Sequence, residues 1–220
     1  RVKSRYLPSR ELGGDCFGYT WIDGDHLLIY LIDVSGHGIE PALLSVSLHN
    51  MIRSGSLATE TVLAPDAVLS ELNRLFQMEK QNDHYFTMWL GVYETHSRTM
   101  RYANAGHPPA FLFDHTTGVA TSVTELSSTS APVGMFEDTV FASATHVVPP
   151  GCQILIYSDG ASEIALADDR QLTSKKFKDL CTRVASSPDW TLDELIKAIQ
   201  ELSPTGVFED DCSLIQLTFA

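Results

Sequence analysis

The sequence predicts an α+β fold in which antiparallel strands follow one another in runs and helices come in pairs. Three observations carry this prediction. Residues 14–32 have the pattern of a β-hairpin, further strand signals follow one another between residues 85 and 157, and helical spacing of apolar residues occurs in two separate pairs of segments. Strands grouped apart from helices are typical of α+β layers rather than of alternating βαβ units.

A hairpin is expected after an opening strand-like segment at residues 1–7. Asp23-Gly24 is a strong hairpin-turn signal, and it separates two segments with strand character. In the first segment aromatic side chains alternate with smaller ones. In the second, residues 27–32 form an unbroken apolar run, which suits a strand that passes through a core.

Two helices are expected after the hairpin and two more near the C-terminus. Pro41 suits the first turn of a helix that ends at Gly55, and apolar residues at helical spacing indicate a second helix over residues 66–78. The same spacing predicts helices over residues 174–185 and 192–202. The remaining strand signals lie at residues 85–93, 100–105, 110–113, 139–148, 152–157 and 212–219.

The length and the hydrophobic content predict one globular domain. The chain has 220 residues, of which 44% are hydrophobic, so residues 1–220 are expected to form a single catalytic domain. The longest apolar run is far shorter than the roughly 20 residues of a membrane span. No membrane insertion is expected, and a cytoplasmic location is favoured. Because the chain begins at Arg1 rather than Met, we expect it to be excised from a longer regulatory protein with an N-terminal sensor or receiver domain.

The charge and the cysteines exclude several classes of site. The chain has 15 Lys and Arg against 28 Asp and Glu, a formal net charge of -13 at pH 7. This imbalance argues against a nucleic-acid partner and against an anionic membrane surface. The four cysteines show no CxxC spacing, so buried reduced thiols are expected rather than a zinc site.

Four short acidic motifs lie far apart along the chain, each where a strand ends or a hairpin begins. Any one of them is also typical of an ordinary turn. Together they predict one metal site, because carboxylates gathered in a cleft repel one another unless a hard divalent cation neutralises them. The motifs are Gly13-Gly14-Asp15, Asp33-Val34-Ser35-Gly36-His37-Gly38, Ser158-Asp159-Gly160 and Asp210-Asp211.

These motifs, with Asn104-Ala105-Gly106-His107-Pro108-Pro109 between them, resemble the metal-dependent protein serine/threonine phosphatases of type 2C. The similarity is to the bacterial branch typified by SpoIIE, and it covers nearly the whole chain. It implies a four-layer α-β-β-α sandwich with two central antiparallel sheets. It also implies two Mn²⁺ or Mg²⁺ ions as cofactors.

The resemblance also implies roles for the acidic residues. Asp33 would bridge both metals and the Val34 carbonyl would complete one coordination shell. Asp15, Asp159 and Asp210 would each supply a single ligand, and Asp211 would be either a ligand or a neighbouring hydrogen-bond acceptor. The nucleophile is then expected to be a metal-bound hydroxide that attacks phosphoserine or phosphothreonine.

Two further residues have alternative roles. His37 is the candidate general acid because histidine titrates in the useful pH range, and the alternative is a structural histidine within its loop. Arg10 is the candidate substrate phosphate-binding residue, since a planar guanidinium can hold phosphate with paired hydrogen bonds, and the alternative is an exposed strand arginine. His107 is expected to be structural.

The function that the resemblance implies is dephosphorylation of a protein in a partner-switching pathway. The expected substrate is a phosphorylated anti-sigma-factor antagonist of the STAS type, and a homodimer is expected. One alternative is a catalytically inactive pseudophosphatase that acts as a signalling or binding module. Another is a hydrolase of small phosphoesters, although the sequence shows no phosphate-binding Gly-rich loop.

Overall fold

The computed structural model describes residues 1–9, 12–115, 122–166 and 170–220. These residues form two compact units. The strands are β1 Val2–Leu7, β2 Cys16–Trp21, β3 His26–Val34, β4 Phe86–Glu94, β5 Thr99–Ala105, β6 Ala110–Asp114, β7 Ser122–Leu126, β8 Ala144–Val147, β9 Gln153–Tyr157 and β10 Cys212–Thr218. The helices are α1 Ile39–Arg53, α2 Thr59–Val62, α3 Pro65–Leu75, α4 Asp159–Ser162, α5 Ser174–Val184 and α6 Leu192–Gln200, and a 3-10 helix covers Met78–Lys80.

One unit, residues 12–109 and 126–148, is built on the sheet β2-β3-β4-β5-β8. The hairpin of β2 and β3 pairs Cys16 with Ile32 and Trp21 with Leu27, in antiparallel register. Strand β3 lies between β2 and β4, and residues Leu27–Ile32 are all buried. A strand paired on both sides and covered on both faces needs an unbroken apolar sequence, which explains the run at residues 27–32.

Helices α1 and α3 of this unit pack their apolar faces on the sheet. Leu44, Leu48 and Ile52 recur at helical spacing on α1 and are buried in a cluster that includes Tyr30 and Val34 of β3. Each such side chain contributes roughly 1.5–3 kcal/mol when it leaves water. This packing anchors Val34, the residue that directly follows Asp33.

The other unit comprises the described residues within 1–9, 110–125 and 149–220, and its strands form a sheet in the order β1-β10-β9-β6-β7. Its core forms where α5 and α6 bury Phe177, Leu195 and Ile199 with the side chains of β9 and β10. Helix α6 begins with a capping box, in which Thr191 accepts from the Glu194 amide at 3.3 Å and Glu194 accepts from the Thr191 amide at 2.7 Å.

The predicted α+β class with two antiparallel sheets is confirmed, as are the 23–24 turn, both helix pairs and the last strand. The predicted strand over residues 139–148 is wrong in its first half, because only Ala144–Val147 joins the sheet and Val140 is 84% exposed. Strand β7 and the short helices α2 and α4 were not predicted. Within the described ranges, none of the helices combines the length and the apolar character that a bilayer crossing requires.

Candidate functional site

The first two acidic motifs lie side by side at the end of the β2–β3 hairpin. Strand register pairs Cys16 with Ile32, and the Val34 amide still donates to the Gly14 carbonyl at 3.4 Å, so Asp15 lies opposite Asp33. Opposite residues of an antiparallel pair present their side chains on the same face. The fold therefore brings the Asp15 and Asp33 positions together.

Gly14 allows the close approach of these two segments. A Cβ atom placed on Gly14 would lie 2.5 Å from the Val34 carbonyl oxygen and 3.1 Å from the Val34 Cβ. The Val34 side chain is buried in the helical core, so its backbone cannot move away cheaply. Glycine at position 14 thus preserves the orientation of the carbonyl that the resemblance assigns to a metal.

The loop after Asp33 is held by residues that precede β4. The Ser35 amide donates to the Tyr85 carbonyl at 2.9 Å, and the Tyr85 amide donates to the Ser35 hydroxyl at 3.1 Å. The His84 Nδ1 donates to the Ser35 carbonyl at 2.8 Å. Gly36 and Gly38 have φ of 87° and 106°, a backbone region that favours glycine.

His84 is a residue of this loop that the sequence analysis missed. Its Nε2 lies 3.5 Å from the Glu40 carboxylate in the first turn of α1, while its other ring nitrogen holds Ser35. His37, the predicted candidate acid, is exposed on the same loop. A signal for His84 does exist in the sequence, because it lies two residues before β4, the strand that pairs with the Asp33 segment.

The two acidic motifs near the C-terminus also lie side by side. The Ser158 hydroxyl donates to the Asp211 carbonyl at 3.0 Å and accepts from the Ser213 amide at 2.9 Å. A Cβ atom on Gly160 would collide with the Asp211 carbonyl oxygen. Ser158-Asp159-Gly160 and Asp210-Asp211 are thus fixed against each other by their backbones.

Asp210 and Asp211 differ in their surroundings. Asp210 is exposed, and its Oδ1 accepts from the Asp211 amide at 2.7 Å. The Asp211 side chain is buried, and its two oxygens accept from the Ser9 amide at 2.8 Å and from the Tyr6 hydroxyl at 3.0 Å. Of the two alternatives for Asp211, these contacts favour the hydrogen-bond acceptor.

His107 has the surroundings of a structural residue. Its amide donates to the Asn104 side-chain oxygen at 3.0 Å, and its Nδ1 donates to the Pro108 carbonyl at 3.0 Å. Burial lowers the pKa of the His107 imidazole to about 4, so the ring is neutral at physiological pH. These contacts support the interpretation of His107 as a structural residue that holds a strand turn.

A polar cluster lies directly beside Asp15. The Cys16 thiol is 3.3 Å and the Tyr30 hydroxyl 3.0 Å from Nδ1 of His49 on α1. Burial, with the nearby Asp15, raises the pKa of the Cys16 thiol to about 11, which rules out a thiolate nucleophile at neutral pH.

A Cβ atom on Gly18 would collide with the Tyr30 ring, which explains why a glycine stands there. All four cysteines are free thiols; three of them are buried as predicted, whereas Cys16 is half-buried.

The polar groups at the end of the β2–β3 hairpin suit a hard divalent cation. Asp15, Asp33 and the Val34 carbonyl offer only oxygen, which favours Mg²⁺ or Mn²⁺ over soft metals. In the other unit, Asp159 and Asp210 are oxygen donors of the same kind. Asp33 also lies opposite Thr87, whose buried hydroxyl oxygen has no hydrogen-bond partner among the described residues. Within these residues no group of three or more His, Cys, Asp or Glu side chains is close enough to hold a metal ion. Arg10 lies outside the described residues.

Comparisons with known proteins show what this chain is similar to. The phosphoserine phosphatase RsbP of Bacillus subtilis is 36% identical over 169 residues, which are 74% of this chain and 40% of RsbP. The structure of the RsbU and RsbW domains of Rv1364c from Mycobacterium tuberculosis is 28% identical, with a TM-score of 0.79 over 100% of this chain and 59% of that one. The chain therefore spans less than two thirds of these relatives.

A third similar protein, RsbX, was solved in complex with magnesium. It is 15% identical, with a TM-score of 0.67 over 98% of this chain and 91% of RsbX, which shows a shared fold. Residues 23–220 match the family described as Stage II sporulation protein E. The chain belongs to the SpoIIE family.

Proposed function

We propose that this chain is a metal-dependent protein serine phosphatase. The observation that carries the proposal is the pairing of Asp15 with the Asp33-Val34 strand end, in a chain of the SpoIIE family. RsbP, a phosphoserine phosphatase that is 36% identical to this chain, supports the same reaction class. Phosphothreonine has the same phosphoester chemistry and belongs to the proposed substrate range.

The proposed cofactors are two Mn²⁺ or Mg²⁺ ions. Asp15, Asp33, Asp159, Asp210 and the Val34 carbonyl would hold them, with Asp33 shared by both. The magnesium complex of RsbX supports a hard cation in this fold. When bound, such ions activate water and neutralise charge on the transferring phosphoryl group.

The protein's own contribution is to fix these oxygens before substrate arrives. The buried Val34 side chain and the absence of a Cβ on Gly14 set the direction of the Val34 carbonyl. The bonds from His84 and Tyr85 hold Ser35 and so restrain the loop that follows Asp33. Such preorganisation is what makes charge stabilisation effective in a site.

His37 is proposed as the proton donor to the leaving serine oxygen. An alkoxide is a poor leaving group, so a proton delivered at that oxygen lowers the barrier. Support comes from its exposed position, four residues after Asp33 on the loop that Ser35 anchors. An exposed imidazole can exchange its proton with water after each turnover.

The proposed substrate is a STAS-type anti-sigma-factor antagonist phosphorylated on serine. Support comes from the Rsb names of the relatives and from the Mycobacterium tuberculosis protein, in which an RsbU domain and an RsbW domain occur together. The net charge of -13 disfavours nucleic-acid substrates. A protein substrate also accounts for the lack of a nucleotide-binding loop in the sequence.

Substrate selectivity tests this proposal. Purified chain with Mn²⁺ is given a serine-phosphorylated STAS protein, a tyrosine-phosphorylated protein and a nucleoside monophosphate, and phosphate release is followed for each. We expect kcat/KM for the phosphoserine protein to be highest. Equal turnover of the phosphotyrosine protein, or preference for the nucleotide, contradicts the proposal.

A further inference from the structure

Asp211 holds the segment that follows β1 through its side chain. Arg1 and Thr218 exchange both of their backbone hydrogen bonds, and hydrogen-bonded pairs alternate along an antiparallel ladder, so Leu7 with Cys212 is also such a pair. The next hydrogen-bonded pair would be Ser9 with Asp210, but the paired register ends at Leu7. The Asp211 carboxylate instead accepts from the next amide, that of Ser9, at 2.8 Å, and its second oxygen accepts from the Tyr6 hydroxyl at 3.0 Å.

The backbone of Asp211 forms hydrogen bonds with both acidic motifs of this unit. Its amide donates to Oδ1 of Asp210 at 2.7 Å, and its carbonyl accepts from the Ser158 hydroxyl at 3.0 Å. Ser158 directly precedes Asp159. One buried residue, 3% exposed, therefore joins the chain after β1 to the two proposed ligands Asp159 and Asp210.

From these contacts we infer that Asp211 is a positioning residue, which orients Asp210 through the loop rather than binding metal itself. The inference rests on the proposed function, since it takes Asp210 as a ligand. With both oxygens bonded to protein donors, the side chain fixes the loop backbone, and the Asp211 amide then holds Oδ1 of the exposed Asp210. Of these two adjacent residues, Asp210 is the proposed metal ligand and Asp211 holds it in position.

This role makes a specific chemical demand. A support needs hydrogen bonds, whereas a ligand also needs negative charge. Asparagine can accept from the Ser9 amide through its oxygen and donate to the Tyr6 oxygen through its nitrogen, because a phenol hydroxyl both donates and accepts. Asp211→Asn therefore preserves the support and removes the charge. Asp211→Ala removes both.

Mn²⁺ affinity, measured by calorimetry without substrate, separates the two roles. We expect Asp211→Asn to bind Mn²⁺ within about threefold of the parent, and Asp211→Ala to bind at least about tenfold more weakly, as loss of hydrogen bonds to a charged group implies. Tyr6→Phe, which removes one of the two bonds, should fall between them. Asp210→Asn should lose affinity strongly, and the exposed Asp189→Asn is the matched control.

Three results overturn the inference. If Asp211→Asn loses as much affinity as Asp210→Asn, Asp211 is a ligand. If Asp211→Ala and Tyr6→Phe both bind Mn²⁺ as the parent does, Asp211 supports folding alone. Should Asp211→Ala fail to fold, the other two variants decide. Asp211 is a ligand if Asp211→Asn binds as weakly as Asp210→Asn, and it supports folding alone if Tyr6→Phe binds Mn²⁺ as the parent does. A parent that binds no Mn²⁺ contradicts both this role and the proposed function, whereas the first two results, with a parent that binds, contradict this role alone.

Discussion

The Val34 carbonyl oxygen lies 2.5 Å from the position that a Cβ atom would take on Gly14. Gly14→Ala should therefore displace that carbonyl or separate the two strand ends. We expect a loss of roughly 1–3 kcal/mol in the free energy of unfolding, the usual cost of overpacking. Mn²⁺ affinity should fall as well. Denaturant titration and calorimetry measure the two effects.

Gly24→Ala is the matched control for this substitution. Gly24 lies in the turn of the same hairpin, and a Cβ atom there would have no neighbour within 4 Å. It should leave both stability and Mn²⁺ affinity near the parent values. An equal loss of Mn²⁺ affinity in both variants would refute the link between Gly14 and the Val34 carbonyl.

Asp33 and Asp159 should differ in how many ions they affect. Asp33→Asn is expected to weaken binding of both Mn²⁺ ions, because one carboxylate is proposed to be shared between them. Asp159→Asn is expected to weaken mainly one. Calorimetric titration gives both the number of ions bound and their affinities. Small and equal effects of the two substitutions would exclude Asp33 as the shared ligand.

His37 can be tested by changing the leaving group. A serine alkoxide needs a proton as it departs, whereas p-nitrophenolate leaves readily without one. His37→Gln should therefore lower kcat on a phosphoserine protein by about 10²–10⁴, the range of general acid catalysis. Its kcat on p-nitrophenyl phosphate should change little. Equal losses on both substrates would show that His37 does not act as the acid.

Acid should destabilise the protein through His107. Burial lowers the pKa of the folded-state imidazole to about 4, whereas the unfolded value is about 6.5. Between these values the unfolded chain binds a proton that the folded chain does not, so stability falls as pH falls. The loss through this residue reaches up to about 3 kcal/mol near pH 4 and disappears above pH 6.5.

Urea titrations from pH 7.5 to pH 4.5 measure this dependence. His107→Gln should have a flatter profile than the parent. The control is His146→Gln, which changes a half-buried histidine on the edge strand β8, and it should keep the parent slope. A parent slope retained in His107→Gln would mean that other groups cause the acid sensitivity.

The sequence predicted those parts of the fold whose signals are local. The Asp23-Gly24 turn and the apolar run of β3 are fixed by neighbouring residues, and both predictions are confirmed. Strand β7 was missed because four of its five residues are exposed or half-buried, which removes the apolar pattern. Residues 139–143 were wrongly assigned to a strand. There Ser143 instead donates to Asp66 at 2.6 Å.

The acidic motifs were found from sequence, but their supports were not. Asp211 contacts Ser9 and Tyr6, which are 202 and 205 residues away in the chain. No local pattern encodes such a contact. His84 was missed for a related reason, since a single histidine in a polar segment acquires its role only when β4 pairs with β3.

Phosphate release from a serine-phosphorylated STAS protein, measured with added Mn²⁺ and with excess chelator, tests the central claim most directly. The account predicts turnover with Mn²⁺, none with chelator, full recovery when Mn²⁺ is restored, and loss in Asp33→Asn but not in the exposed-site variant Asp189→Asn. Turnover that persists in excess chelator, or that Asp33→Asn retains in full, would contradict it.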